Sequence, residues 1–293
     1  MDELKKHWLK HHDYDETLHS TDVYDNYILS IINKGHHLVQ KLCYEKFNEK
    51  GELSILDIGC GDTDLYKYFD NIVSKYIGVE PIKREILKTI ENPKINLIRG
   101  TAEKLPLQNN CIDISLHIAT LDHCYDAEQA IAEMLRVLVP GGYAIILLES
   151  KSRFSNDIRK LLNLEISHGD HHTYYFSVDE IRSLVAPYGE VSFFKSYGYL
   201  LGGSFIAKLL PRGILRVFSE ILDRTLGFFL PNKGQHFIYC IKKKGDYKDN
   251  NSTFDLLCPY CNEKIAWGES SCISCNIELS WLRNDILDIL SED

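Results

Sequence analysis

The sequence predicts an α/β protein built around a mostly parallel sheet, and three observations carry that prediction. Short apolar runs alternate with longer polar-apolar stretches from Leu53 onward, the rhythm of βαβ units. The stretches beginning near Asp62, Lys83 and Asp126 have the length of crossover helices. The first apolar run ends in a tight glycine turn, Gly59-Cys60-Gly61, where the backbone can reverse sharply.

In chain order, LSILDI, KYIGVE, INLIRG, CIDISLHI and GGYAIILLES supply the strands before residue 150. SVDEIRSLVAPYG follows as a helix, and VSFFKSYGYLL and HFIYCIKKK as two further strands. The opening residues to Lys50 place Ile28, Ile31, Ile32, Leu38, Val39 and Leu42 near helical spacing, with Gly35 a weak point. The stretch 202–234 is amphipathic and cationic at Arg212, Arg216 and Arg224, and is expected to pack on the sheet or cover the active site rather than lie on a membrane. The domain plan is a helical lead-in and cap over 1–50, an α/β domain over 51–245, a linker over 246–254 and a cysteine-bearing module over 255–293.

Composition narrows the function classes. The 293 residues are 44% hydrophobic and 26% charged, as in an ordinary globular protein. A formal net charge of -9 argues against broad attraction to a phosphate backbone, while leaving a local basic patch open. The N-terminus shows no uninterrupted apolar stretch, and no later run approaches the roughly 20 apolar residues of a membrane span. A cytoplasmic protein is expected.

The glycine turn is a weak signal alone, and charge sharpens it. A dinucleotide site would want a third glycine at position 64, which is Asp64. Asp57, Asp62 and Asp64 would repel a pyrophosphate but suit a ligand bearing sulfonium and ammonium groups, as S-adenosylmethionine does. Glu80 ends the next strand, where a carboxylate can accept hydrogen bonds from both ribose hydroxyls.

With these features in place, residues 53–150 resemble the class I S-adenosylmethionine-dependent methyltransferase family. The resemblance is carried by LDIGCG, GVEP, GTAEKLPLQNNCIDISL and AIAEMLRVLVPGGYAII. It implies a Rossmann-like seven-stranded sheet, helices on both faces, with the last strand antiparallel. It also implies that Asp57, Gly59 and Gly61 shape the methionine end of the cofactor site and that Glu80 holds the ribose. Thr101, Ala102 and Glu103 would lie on the adenine side, with Ala119 and Thr120 lining the other side. The family often carries an acidic residue where Thr101 stands and glycine where Thr63 stands.

Methyl transfer from a sulfonium needs positioning more than acid-base chemistry, but a hydroxyl acceptor needs a base. His123 in ATLDHCYD lies at the ligand end of the sheet. His168, Asp170, His171 and His172 in ISHGDHHTYYFS form a second group, with Tyr174 and Tyr175 as flat contact surfaces. The family segment that this one resembles often walls the substrate pocket, so His171 and His172 are read as acceptor-side residues. Their adjacency lacks the i, i+4 spacing of a helical zinc pair.

Five of the nine cysteines, Cys43, Cys60, Cys111, Cys124 and Cys240, are scattered. The other four pair as Cys258-x-x-Cys261 and Cys272-x-x-Cys275, a spacing that can enclose one tetrahedral Zn2+ in a closed, structural site. This C-terminal segment resembles the small zinc-ribbon proteins associated with some methyltransferases acting on RNA or protein. Three functions follow as alternatives: a methyltransferase of a small molecule or metabolite, a methyltransferase of RNA or a protein factor that docks through the ribbon, or a noncatalytic binding protein with the cofactor fold. The first is preferred on charge and on the histidine-aromatic segment.

Overall fold

The computed structural model describes residues 26–163, 174–199, 212–246 and 256–290. Its centre is a parallel sheet of β1 (Leu53–Ile58), β2 (Val73–Val79), β3 (Ile95–Arg99), β4 (Ile112–Ile118) and β5 (Leu138–Glu149). β6 (Gly189–Tyr197) and β7 (His236–Lys243) complete the order β3-β2-β1-β4-β5-β7-β6. β7 runs antiparallel to both its neighbours. The seven-stranded, mostly parallel sheet with an antiparallel last strand is therefore present.

The sheet does not stop there. The C-terminal residues form a separate two-stranded sheet of β8 (Leu256–Leu257) and β9 (Lys264–Ile265), then add β10 (Ser280–Arg283) and β11 (Ile286–Asp288) to the main sheet, where β11 pairs in parallel with β3, making nine strands. An exposed edge strand offers unpaired backbone groups, and β11 satisfies those of β3. The Arg99 guanidinium fixes this register by donating to both carboxylate oxygens of buried Asp288, at 3.1 and 3.0 Å.

Alternation along the strands divides the core into two layers. Ile55, Tyr76, Leu97, Ile114 and Leu116 face α1 (Asn26–Lys50), which contributes Val39, Leu42 and Cys43. Leu56, Ile58, Ile77 and Ile98 face the other way, against α3 (Ala127–Val137) and α5 (Val178–Val185). On α3, Ile131, Met134 and Leu135 are buried, each worth about 1.5–3 kcal/mol. Both helices begin where side-chain caps direct them. Asp126 accepts from Gln129 N at 3.0 Å, and Ser177 and Glu180 form a reciprocal capping box. Gly35, weak for a helix, permits close approach: a Cβ there would sit 2.5 Å from the Tyr197 hydroxyl.

Two expected helices differ from their prediction. The connection from β1 to β2 holds only a 3-10 turn, Asp64–Tyr68, which starts after Thr63 in a left-handed conformation at φ 62° and ends where Phe69 leaves the helical region. The next connection contains only the single turn α2 (Lys83–Ile86). After β5 comes α4 (Phe154–Leu161). α6 (Arg212–Phe229) turns an acid inward: Asp223 is buried, accepts from Gly198 N and Tyr199 N at 2.9 and 3.0 Å, and pairs with Lys34 at 2.6 Å. Asp223 pairs this helix to α1 and to the end of β6.

Candidate functional site

The parallel strands end together at Ile58, Val79 and Ile118, and the connections beyond them form the ligand end of the sheet. Gly59 has φ 76° and Gly61 φ 52°, both left-handed. A Cβ on Gly59 would lie 2.3 Å from Thr120 Cγ2, so this glycine allows the turn to press against the end of β4. A Cβ on Gly61 would meet nothing within 4 Å. The turn is thus braced beneath and open at Gly61, the arrangement needed to bring backbone N–H groups against a ligand.

Glu80 is buried beside this turn. Its carboxylate accepts from Gly61 N at 3.0 Å and from Ile82 N at 2.8 Å. Those bonds fix the carboxylate at the end of β2, and each oxygen has lone-pair capacity beyond one bond. Asp57 is buried below the turn. One oxygen accepts from the Tyr76 hydroxyl, and the other has no hydrogen-bond partner among the described residues. Burial pushes its pKa up to about 6, partly offset by the tyrosine hydrogen bond. An orphaned acceptor and an open glycine cradle fit a ligand with a cationic group and a ribose.

Thr120 joins the turn to β4. Its hydroxyl donates to Ile58 O at 2.9 Å, so it can accept only from a protonated Nδ1 of His117, 2.6 Å away. That tautomer leaves His117 Nε2 as a buried acceptor with no partner among the described residues. Complete burial lowers the His117 pKa to about 3, keeping the ring neutral. Sequence reasoning read this histidine only as part of a strand, and its polar identity inside an apolar run was the available signal. Ala119, the residue between, has φ 54°, so backbone strain gathers at this rim.

Thr101, Ala102 and Glu103 are buried just after β3. Glu103 accepts from Tyr125 N at 2.8 Å and from Asp126 N at 3.3 Å, fastening the loop that carries His123. The following segment is held by α3, where Arg136 donates to Leu105 O and Leu107 O while Glu133 accepts from Leu105 N. His123 lies half-buried in a turn after β4, with its N–H bonded to Thr120 O. His168, Asp170, His171 and His172 lie outside the described residues. Tyr174 docks on this loop through Tyr174 N to Asp122 O at 3.0 Å and its hydroxyl to Tyr125 O at 2.7 Å. Tyr174, Tyr175 and Phe176 line an open cleft of about 730 Å³ with Lys151 and Glu180.

The second constellation is the cysteine cluster. The sulfurs of Cys258, Cys261, Cys272 and Cys275 all lie within 4.8 Å of one another. Cys258 to Cys275 is 3.7 Å and Cys261 to Cys272 is 3.6 Å. Sulfurs about 2.3 Å from a tetrahedral zinc would stand about 3.8 Å apart, so the donor set fits that ion. Each knuckle closes alike. Asn262 and Asn276 donate backbone N–H groups to Cys258 O and Cys272 O and adopt φ 63° and 55°. The asparagine after each C-x-x-C pair was a legible signal that had gone unused.

The knuckles are not suspended from the sheet. Leu256, Cys258, Ile265, Cys272 and Leu279 belong to the same core cluster as Leu56 and Ile131. Leu257 N donates to Pro106 O and Lys104 Nζ to Pro259 O. Ile289 packs on Gly100, so the cysteine segment supports the chain bearing Thr101–Glu103 from behind.

A glycine turn after the first strand, a carboxylate after the second and an open sheet end define a nucleotide-cofactor-binding α/β domain. Within that class, residues 56–146 match the family model described as a methyltransferase domain, and the chain carries a class I S-adenosylmethionine-dependent methyltransferase domain. An uncharacterized methyltransferase of Mycobacteroides abscessus is 34% identical over 99 residues, 32% of this chain and 38% of the relative. The ubiquinone/menaquinone biosynthesis C-methyltransferase UbiE of Shewanella piezotolerans is 31% identical over 140 residues, 44% of this chain and 55% of the relative. The chain thus spans between about a third and just over half of the length of these relatives. The [4+2]-cyclase SpnF shares the fold at TM-score 0.50 and 16% identity, covering 71% of this chain and 80% of that one.

Proposed function

We propose that the protein transfers a methyl group from S-adenosylmethionine to a small-molecule acceptor. The observation that carries the reading is the open Gly61 cradle bordered by the fixed Glu80 carboxylate and the buried Asp57. When bound, S-adenosylmethionine supplies an electrophilic methyl group and a neutral leaving group. Gly59 and Gly61 present backbone to the methionine end, Glu80 orients the ribose, and Thr101, Ala102 and Glu103 border the adenine. Ala119 and Thr120 close the opposite side.

The aromatic cleft beside the loop carrying His123 has the size of a small-molecule site, and the UbiE relative is named for methylation in quinone biosynthesis. Pairing of β11 with β3 also removes one edge that a macromolecular partner could extend. His123, His171 and His172 are the candidate bases for an acceptor hydroxyl. Zinc held by the four cysteines completes the reading as a structural ion, in a cytoplasmic protein whose five other cysteines are buried and free.

Glu80→Ala should weaken S-adenosylmethionine by about 1.5–3 kcal/mol, roughly 10–150-fold, the scale of hydrogen bonds to a charged group. Calorimetry reads this directly; unchanged affinity in a folded variant removes the ribose assignment.

Asp57 gives a pH test. Its folded pKa of about 6 lies above the ordinary carboxylate value, so its contribution to stability is fully present below about pH 4 and is lost as pH rises through 6. Asp57→Asn should therefore be more stable than the unmodified protein above pH 6, by about 2–3 kcal/mol, with no gain near pH 4. His117, with its lowered pKa, acts in the opposite sense as pH falls below its ordinary value, which is why the variant must be compared at each pH. A pH-independent difference in urea midpoint would refute the titration of Asp57.

A further inference from the structure

Arg153 is a buried cation with one nitrogen unused. It lies between β5 and α4, only 8% exposed. Its Nε donates to Ser150 O at 2.8 Å, and its Nη1 pairs with the Glu149 carboxylate at 2.8 Å. Nη2 is buried and has no hydrogen-bond partner among the described residues. A guanidinium does not shed its charge in a protein, and a buried charged donor without an acceptor costs more than a neutral one. The other two nitrogens already close the turn from β5 to α4, so that closure does not account for the third.

The position of this donor gives it a use. β5 continues through Leu148 and Glu149 beyond the pairing of Leu147 with Ile118 of β4. Glu149 stands opposite His236 on β7, which stands opposite Tyr197 on β6. Directly opposed residues of antiparallel strands share a face, so the three form a row across the ligand end of the sheet. By alternation the row lies on the α1 side, where Leu147 belongs to the core cluster that includes Val39 and Leu42. The Tyr197 and His236 rings stack with centroids 5.7 Å apart, and Arg153 is tied to the row through Glu149.

The cofactor assignments leave this part of the sheet end for a second ligand. Along the order β3-β2-β1-β4-β5-β7-β6, Thr101–Glu103 follow β3, Glu80 follows β2, the glycine turn follows β1, and Ala119 and Thr120 follow β4. A cofactor held from β3 to β4 has β5 and β7 as its open neighbours, which is where Arg153 lies. This step rests on the activity proposed above.

Charge sets the class of ligand. Arg153 and Glu149 together are neutral, whereas S-adenosylmethionine, with its sulfonium, ammonium and carboxylate, is a net monocation. An acceptor bearing one carboxylate balances that charge and offers Nη2 an ionised oxygen, the stronger kind of hydrogen-bond partner. A phosphate dianion would need a second cation, and the flanking Lys151 and Lys233 are paired with Glu180 and Asp157. A phenol arrives protonated near neutral pH and brings no ionised oxygen. We infer that Arg153 binds the methyl acceptor through a carboxylate, with Glu149 as the residue that positions its guanidinium.

The test measures binding rather than methylation, so its failure is separate from any failure of the activity. Formate, acetate and benzoate are each compared with the corresponding amide on the full chain, alone and saturated with S-adenosylmethionine. Dissociation constants follow from the concentration dependence of the thermal midpoint at fixed ionic strength. At least one carboxylate should bind about tenfold or more tightly than its amide, and Arg153→Gln should remove that preference while S-adenosylmethionine affinity is unchanged. Glu149→Gln should act in the opposite direction, tightening the carboxylate by about threefold or more, because it removes a competing negative charge and releases Nη1. A purely structural ion pair gives no such opposition, and Glu149→Gln decides alone where Arg153→Gln does not fold. Equal affinity for every carboxylate and its amide overturns the inference, as does weaker carboxylate binding by Glu149→Gln. A carboxylate preference that Arg153→Gln removes, in a chain that binds no S-adenosylmethionine, supports the anion site and overturns the proposed activity.

Discussion

Cys258→Ser should lower the zinc content of the purified protein from about one ion per chain and lower its unfolding free energy by more than about 3 kcal/mol. Structural zinc contributes roughly 10–16 kcal/mol of folding free energy in isolated finger peptides, and a larger fold retains part of its stability without it. Here the loss should spread beyond the knuckles, because Cys258 is buried in the same core cluster as Leu56 and its neighbour Leu257 is hydrogen-bonded to Pro106. The segment 101–107 should loosen on the adenine side, so affinity for S-adenosylmethionine should also fall. Elemental analysis, urea denaturation and calorimetry read these effects separately. Zinc-free protein of normal stability would defeat the structural role, and native protein that holds no metal would defeat the metal assignment.

The reach of the sequence can be judged from where local and tertiary signals part. Leu53–Ile58 coincides with its predicted run because a central strand buried on both sides leaves a continuous apolar signature bounded by turn residues. Asp126 and Ser177 marked helix starts because capping depends on residues only three positions away. β10 and β11 had no such signature. They are four and three residues long, and β11 becomes a strand through pairing with β3, nearly two hundred residues earlier. Periodicity cannot register so short an element.

The site divides the same way. The glycines, Glu80 and the cysteine pairs were legible because their chemistry follows from residue type and spacing. The tautomer of His117 and the brace of Thr120 against Gly59 arise from contacts across the strand ends, which no spacing rule encodes. α6 shows the limit most directly. Amphipathicity was evident, but which side faces the protein was decided by Lys34 reaching Asp223 from a different helix.

Gly59→Ala is expected to have the other large effect. The new methyl group would lie 2.3 Å from Thr120 Cγ2 and 2.6 Å from its Cβ, at a backbone angle of φ 76° that alanine adopts only with strain. Thr120 cannot simply rotate away, since its hydroxyl holds both Ile58 O and His117 Nδ1. Strain and overpacking together should cost about 2–4 kcal/mol in stability. The displaced turn should also carry Gly61 away from Glu80 and reduce S-adenosylmethionine affinity at least tenfold. Thr120→Ser removes the nearest clashing carbon while keeping the hydroxyl, so the double variant should recover about 1 kcal/mol relative to the sum of the single variants. Additive single effects, measured by denaturant unfolding, would show that the clash is relieved elsewhere and that Thr120 does not brace the turn.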